Sequence, residues 1–507
     1  MSHVPHSRAA TTDIRLRAVG LSLLLSFWHA LVNPIPNADG FEYVRIAEVF
    51  LSDGLMAAFA LYPSATYPVL IGVLQSVGLD PFVAGQLLNA LFYALLVNVF
   101  LGIALELRDT RRHAIIAAVV VLVFPQINEY RFYMIRDIAC IALVLAGTLQ
   151  LMRYSRAPAW REAVLCCAAL LGAALFRAEA LVYLFLSPLV LLWGGDANSA
   201  GWLRLHSLVL GLAVAGVLLL GIAGVDVPGT LLRMGTVYLP FLSAALQALG
   251  EGNSGLADAL FGAYASEFSG EHLWVFMLGG MTTLLLFKLT SGLGVPTLLV
   301  LLYGWRTRTL PLTLPALRPL LVNAGIAFIV LLAFLLLTRF LSTRYTLLFC
   351  MLLLPLLPLV LDTAITRLPQ LPRAGLLRGI AAFLLLFCAV DAHVSFGRSK
   401  ASLQQASDWL RDNAGAQTVL LTNSNYVAYY SGLVEDYDKV YRYIEPALLD
   451  DAEPGTLLAM SLDRGLDSEL QARVNAGRLA LLAQFPQGRS ATDGSTQFAI
   501  YRRLQAP

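Results

Sequence analysis

Long apolar runs separated by short charged connections fill the first three quarters of the chain, the pattern of a polytopic helical membrane protein in which each crossing needs about 20 residues. The runs lie near residues 18–32, 82–105, 113–127, 131–152, 163–177, 179–193, 207–224, 291–305, 319–338, 345–361 and 376–391, which predicts about eleven transmembrane helices. A further apolar stretch, 272–289, does not fit the alternation, because counting it as a crossing puts Arg306 and Arg308 outside. Lys288 and the Thr-Ser-Gly that follows break that run, so it is expected to be an interfacial or re-entrant helix on the outer side.

The pattern changes near Val394. The tail reads as ordinary soluble sequence, with an amphipathic helix in SLQQASDWLRDN, a strand in TVLLTN and a Tyr-rich YVAYYSGL. Residues 1–393 are therefore expected to form the membrane domain, with outer-face loops at 33–80 and 225–290, and 394–507 a small α/β domain outside.

Charge fixes the expected sidedness. Arg108, Arg111 and Arg112, then Arg153, Arg156 and Arg161, then Arg204, then Arg306 and Arg308, then Arg367, Arg373 and Arg378 fall on alternate connections, which the positive-inside rule assigns to the cytoplasm. The opposite segments, 33–80 and 225–272, carry Asp39, Glu42, Glu48, Asp53, Asp80, Asp226, Glu251, Asp258, Glu267 and Glu271 against Arg45 and Arg233. Arg15 and Arg17 precede the first run, which enters NPIPNADG without a small-x-small cleavage site, so it reads as a retained signal anchor with its N-terminus in the cytoplasm.

Composition agrees with this class. Hydrophobic residues make up 58% of the 507 residues and charged residues 13%, with mean hydropathy +0.70, too little polar surface for a water-soluble globule. The formal charge of +2 and the scattered Arg clusters imply no nucleic-acid partner. Cys140, Cys166, Cys167, Cys350 and Cys388 lie in apolar runs without metal or redox spacing.

The candidate chemistry lies in polar residues grouped at the outer surface. NEYRFYMIRDIA places Glu129, Arg131, Arg136 and Asp137 within about two turns of the interface by the 1.5 Å rise per residue. FRAEA adds Arg177 and Glu179, and STRYT adds Arg344 and Tyr345. Each cluster alone could snorkel or pair merely to fix a helix; three clusters on one face point to a shared polar site. Arginines there can hold a phosphate bidentately, and an acid on the neighbouring loop can act as general base. This combination suits sugar transfer from a lipid-linked phosphate. Asp39 also has a bland reading, as N-cap of a helix starting in DGFEYVRIAEVF.

The order of NADGFEYVRIAE, ATYPVLIGVL, FVAGQLLNALFYALLV, RFYMIRDIA, FRAEALVYL and STRYTLLFCMLLLPLLP resembles the GT-C superfamily of membrane glycosyltransferases. The likeness is to the bacterial relatives of protein O-mannosyltransferases and of the lipid A aminoarabinose transferase. ASDWLRDNAGAQTVLLTNSNYVAYYSGL looks like the outer domain that follows the membrane part in some of them. The resemblance implies a GT-C-like fold in the bacterial inner (cytoplasmic) membrane, a polyprenyl-phosphate-linked sugar donor, a glycan, lipid or protein acceptor, and inverting transfer at a periplasmic active site. Asp39 would then be the catalytic base. Glu42, and Glu129 after it, are the secondary acids; Glu42 stands where an acid orients the acceptor or helps bind a divalent metal, although no cofactor is specified. Arg131, Arg136, Arg177 and Arg344 would bind the donor phosphate, with Tyr67, Asp137, Glu179 and Tyr345 supporting them. Gly40 follows Asp39 where the mannosyltransferases carry adjacent Asp-Glu, and YPSATYP stands where the aminoarabinose transferases carry Lys-Pro-Pro.

No HExxH or Gly-rich phosphate loop supports a nucleotide sugar or a defined metal site. A ligase or polymerase of lipid-linked glycans would share this chemistry. A lipid or sugar transporter is the more distant alternative, because the chain shows no repeated halves and its charges lie at a face instead of mid-membrane. His29, in the first run, reads as a packed helix residue. The segment from Val225 to Phe268 reads as either a surface cap or a lid.

Overall fold

The computed structural model describes residues 6–33, 35–193, 198–222, 228–229, 232, 239, 254–310, 314–370, 373–394, 401–415, 417–440, 444, 446–462, 466–486 and 497–505. Asp226, Arg233, Glu251 and most of the segment read as a cap or lid lie outside them.

The protein is a helical membrane protein with a small C-terminal sheet. The helices up to residue 222 are α1 (His6–Val32), α2 (Ala38–Asp53), α3 (Leu55–Leu61), α4 (Thr66–Ser76), α5 (Pro81–Leu107), α6 (Arg111–Val123), α7 (Pro125–Asn128), α8 (Asp137–Arg156), α9 (Trp160–Phe176), α10 (Ala180–Leu186) and α11 (Ser199–Ile222). Among the described residues, seven helices are long and apolar enough to cross a membrane: Thr11–Val32, Pro81–Leu107, Asp137–Arg156, Ser199–Leu219, Tyr264–Leu293, Pro315–Thr338 and Ala374–His393. An eighth candidate is the pair Thr343–Leu353 and Leu356–Gln370, bent by 54°. Pro355 lies at that bend, where its ring and missing N–H prevent a continuous helix. On Ala374–His393, Phe383, Leu386 and Phe387 face outward, an apolar surface that lipid, and not water, accommodates.

The break expected at Lys288 is absent. The helix Leu273–Leu293 runs straight through Lys288, Thr290 and Ser291, and with the turns before it forms the 30-residue apolar stretch Tyr264–Leu293. The interruption falls at Gly294, with φ 73°, and Pro296 opens the next helix, Val295–Arg306. A lysine on a helix can extend its ammonium toward the interface without disturbing the backbone, whereas a left-handed Gly followed by Pro ends the hydrogen-bond ladder. The stretch expected to be interfacial is thus of crossing length, and the crossing expected at 291–305 is a helix of 12 residues.

Two compact units divide the chain: Met1–Val32, Phe59–Tyr67 and Gln86–Ser395 form the first, and Asn33–Ala58, Pro68–Gly85 and Phe396–Pro507 the second. In the first unit, buried polar links tie the helices together. Ser187 Oγ donates to Asn323 Oδ1 at 2.6 Å, and Asn323 Nδ2 to Thr148 Oγ1 at 2.8 Å. At the helix ends Asp362 pairs with Arg108 at 2.6 Å and with Arg112, while Glu106 pairs with Arg153 at 2.8 Å and Arg156 at 2.6 Å.

The second unit is built on a four-stranded sheet of β1 (Leu420–Thr422), β2 (Leu457–Ser461), β3 (Leu479–Phe485) and β4 (Phe498–Arg503), in the order β1-β2-β4-β3. β1 and β2 are parallel, with Leu421 opposite Leu458, and β4 runs antiparallel to both β2 and β3. Leu458, Met460, Leu470, Leu479 and Tyr501 form its core. The amphipathic segment is the helix Ala401–Asn413, and the Tyr-rich segment is the helix Asn425–Ser431, started by Ser424, whose side chain accepts from the Val427 N–H.

α2 packs within this unit by its own apolar face. Phe41 meets Phe82, Tyr426, Tyr429 and Tyr430 with ring centroids 5.3 to 6.2 Å apart. Tyr437 donates to Glu48 Oε2 at 3.0 Å, and Arg45 faces Asp438 at 4.0 Å. Burial raises the Tyr430 hydroxyl to about 12, and neighbouring tyrosines add to the shift; Tyr437 is raised by burial and by Glu48. Both phenols therefore stay protonated at neutral pH and can donate. Gly72 on α4 allows close approach to α2, since a Cβ there would lie 2.6 Å from Phe50 Cδ1 and 3.2 Å from the Ala47 carbonyl.

Candidate functional site

Three helix ends in the first unit bring the charged residues together. Asp137 is the first residue of α8, Arg177 ends α9, and Glu179 precedes α10. Each charge complements the helix dipole at its position, acids at N-termini and the cation at a C-terminus. Arg344 comes from the 3-10 turn Thr343–Thr346, whose Ser342 hydroxyl accepts from the Arg344 N–H at 3.4 Å.

The geometry links all four. Arg177 pairs closely with Asp137 through Nη1 and with Glu179 through Nη2 at 3.1 Å. Arg344 Nε lies 3.7 Å from the second oxygen of Asp137. The Tyr345 ring lies between the two guanidinium groups, 5.0 Å from that of Arg177 and 5.6 Å from that of Arg344, and its edge is held by Phe334 at 5.2 Å. Together they line a cavity of about 70 Å³ walled on its other side by Leu331, Phe334 and Phe349. That is several times the roughly 10–15 Å³ that admits one water.

Arg136, next to Asp137, adds a third guanidinium. It stacks on Tyr62 at 5.1 Å, its field reaches Glu179, and its buried Nη1 makes no hydrogen bond among the described residues. Arg136 does not line the cavity; counted with Arg177 and Arg344 against Asp137 and Glu179, it gives the wider cluster a net charge of +1. Such a cluster favours an anion with a lipophilic substituent, and a buried donor lacking an acceptor favours an oxyanion.

Arg131 has a different environment. It is 2% exposed and donates from Nε to Asn128 Oδ1 at 2.6 Å, and from Nη1 to Ser22 O at 3.0 Å, Ser22 Oγ at 3.1 Å and Ser26 Oγ at 2.9 Å. Its guanidinium also stacks on Tyr93 at 4.4 Å. Asn89 donates to the Arg131 carbonyl at 2.9 Å. Arg131 does not line the cavity; it braces α1 against the turn that leads into α8. Replacing it with Met should lower the thermal stability of the detergent-purified protein by about 1–3 kcal/mol, because buried acceptors lose their donor. Donor affinity of the folded fraction should be unchanged, and a fall in affinity at constant melting temperature would return Arg131 to the anion site.

The remaining expected residues lie elsewhere. Glu129 is exposed and does not line the cavity, and Tyr67 is fully buried at the start of α4. Asp39 and Glu42 belong to the second unit, in the first turns of α2. There Asn37, and not Asp39, holds the N-cap position. Asp39 is the second residue of the helix, and Glu42 lies three residues on, along the same face. Sequence reasoning missed Tyr62, Tyr437 and the Phe41–Phe82–Tyr429 packing; the aromatic spacing in YVAYY was the one local signal for the last.

Among the described residues no group of three or more His, Cys, Asp or Glu side chains is gathered for a metal ion. No protein-family model matches the chain, and no curated protein matches it in sequence.

Proposed function

We propose that the protein is a membrane glycosyltransferase that moves a sugar from a polyprenyl-phosphate-linked donor to an acceptor hydroxyl. The observation that carries this reading is the cluster of Arg177 and Arg344 with Asp137 and Glu179 on an apolar-walled cavity, with Arg136 next to Asp137 behind it. A polyprenyl phosphate combines the two features such a site selects, an oxyanion and a hydrocarbon chain. Arginine stabilises the negative charge that develops on the phosphate as the sugar leaves. Asp39 would take the acceptor proton as the hydroxyl attacks the anomeric carbon from the face opposite the phosphate, inverting that centre.

In this reading the active side is periplasmic and the membrane is the inner one. The eleven crossings keep Val295–Arg306 among them: Gly294 lies against Gln126 at the outer end of α6, and Gly304 against Val360, two residues from the Asp362 that pairs with Arg108 and Arg112 at the cytoplasmic end. Arg306 and Arg308 then stay on the cytoplasmic side. α6 with α7, α9, and Ala180–Leu192 supply the shorter crossings.

Mass spectrometry of the lipid fraction from a strain lacking the gene tests the proposal. The expected result is a sugar-bearing polyprenyl phosphate that accumulates and disappears when the wild-type gene is restored. An unchanged polyprenyl-phosphate profile, with unchanged envelope glycans, would overturn it.

A further inference from the structure

A second polar cavity lies in the first unit where four helices end. Its volume is about 780 Å³, within the size range of ligand pockets. Arg15 of α1, Glu106 at the end of α5 and Asp109 after it, Arg153 and Arg156 at the end of α8, and Arg161 and Glu162 at the start of α9 line it. None of these residues belongs to the cluster around Asp137.

Helix electrostatics accounts for part of this set. Arg153 and Arg156 complete the C-terminus of α8 and are held side by side by Glu106, at 2.8 and 2.6 Å. Arg15 is fixed through Nη2, which donates to Asn98 Oδ1 at 2.8 Å and to its carbonyl at 3.1 Å, while its buried Nε has no acceptor among the described residues. Arg161 is not explained this way. It lies in the first turn of α9, where a cation opposes the dipole, and no hydrogen bond or ion pair engages it among the described residues. The same helix start carries Ala159 at its N-cap, without a side-chain acceptor for the first N–H groups. Four guanidinium groups against three carboxylates, and an uncapped helix start, therefore line one open space with a net charge of +1.

The surroundings indicate what fills it. Trp160, between Ala159 and Arg161, is 57% exposed and stacks under Arg204 at 5.4 Å, the environment of an aromatic anchor at headgroup depth. Leu16 beside Arg15, and Val164 and Leu165 beyond Glu162, are exposed apolar residues that acyl chains cover. We propose that this cavity binds the phosphate diester headgroup of an anionic phospholipid. Arg153 and Arg161 supply the charge, the α9 N–H groups supply further donors, and the acyl chains lie along α1 and α9.

Thermal unfolding of the full-length protein in neutral detergent tests this, titrated separately with dioleoylphosphatidylglycerol, dioleoylphosphatidylcholine and sodium phosphate. Phosphatidylglycerol is expected to raise the melting temperature saturably, with phosphatidylcholine and phosphate giving little change. Arg161→Ala and Arg153→Gln should each weaken the apparent affinity by roughly fivefold, the effect of one basic residue at a membrane surface. Arg161 is exposed and unpaired among the described residues, so its variant keeps the lipid-free melting temperature and separates loss of binding from loss of fold. Equal stabilisation by the two lipids, or an unaltered phosphatidylglycerol titration in Arg161→Ala, would overturn the proposal; so would stabilisation by phosphate alone, which would make the cavity a free-anion site. Transferase activity does not enter the measurement, so its outcome stands apart from the proposed function.

Discussion

Asp39→Asn is expected to lower turnover by roughly 10²-fold or more, with the fold and donor binding retained. The substitution keeps the size and hydrogen-bonding shape of the side chain and removes the proton acceptor. Helix capping is the alternative role for Asp39, and Asn would preserve it. Asn37 holds the N-cap position of α2 instead, and Asp39 is the second residue of the helix. The Phe41 aromatic packing and the Tyr437–Glu48 hydrogen bond hold α2 within its unit and do not involve Asp39. The measurement is steady-state transfer by the purified variant, with circular dichroism and donor binding as controls. Near-normal turnover would move the base elsewhere, to Glu42 first and Glu129 next.

Arg177→Gln should be the most destabilising of the arginine substitutions, by about 3–5 kcal/mol, because it leaves two carboxylates in a largely buried cluster without their main counterion. Asp137 is 7% exposed and Arg177 18%, so solvent screens this pair weakly. Arg344→Lys should behave oppositely. Its pairing with Asp137 is long, at 3.7 Å, and Lys keeps the charge while losing the planar fork that grips a phosphate. Its melting temperature should stay near that of the parent while donor affinity falls by roughly tenfold, the loss of one charge-assisted hydrogen bond of about 1.5 kcal/mol. Thermal unfolding and donor titration on the same preparations separate the two effects. If Arg344→Lys and Arg136→Lys both retain full donor affinity, the cluster is a brace between helix ends and not an anion site.

Much of the architecture is local and was legible in the sequence. Runs of apolar residues long enough to cross a bilayer identify the membrane helices because every backbone polar group there must be satisfied within its own helix. The amphipathic period of 401–413 and the β-rich run at 420–422 are set by neighbouring residues in the same way. Where local reading failed, at Lys288, it gave a charged side chain the weight that belongs to Gly294 and Pro296: side-chain polarity can be relieved by extension toward water, and a broken backbone ladder cannot.

The candidate site was legible as a set but not as an arrangement. Helix ends announced that Asp137, Arg177, Glu179 and Arg344 share a polar region. Their division of labour depends on contacts between residues 40 to more than 200 positions apart, as with Arg177 and Asp137 or Arg344 and Asp137. Arg131 shows the limit most clearly. It stands in the same motif as Arg136, yet Ser22 and Ser26, more than a hundred residues earlier in the chain, take its donors. The grouping of α2 with the C-terminal sheet likewise depends on Phe41 meeting Tyr429 and Glu48 meeting Tyr437. The sequence by itself determined which residues are helical, which are apolar and which carry charge, since those follow from local composition and period. Tertiary structure alone decided which charges neutralise one another and which keep donors for a ligand, because that depends on partners brought together only by packing.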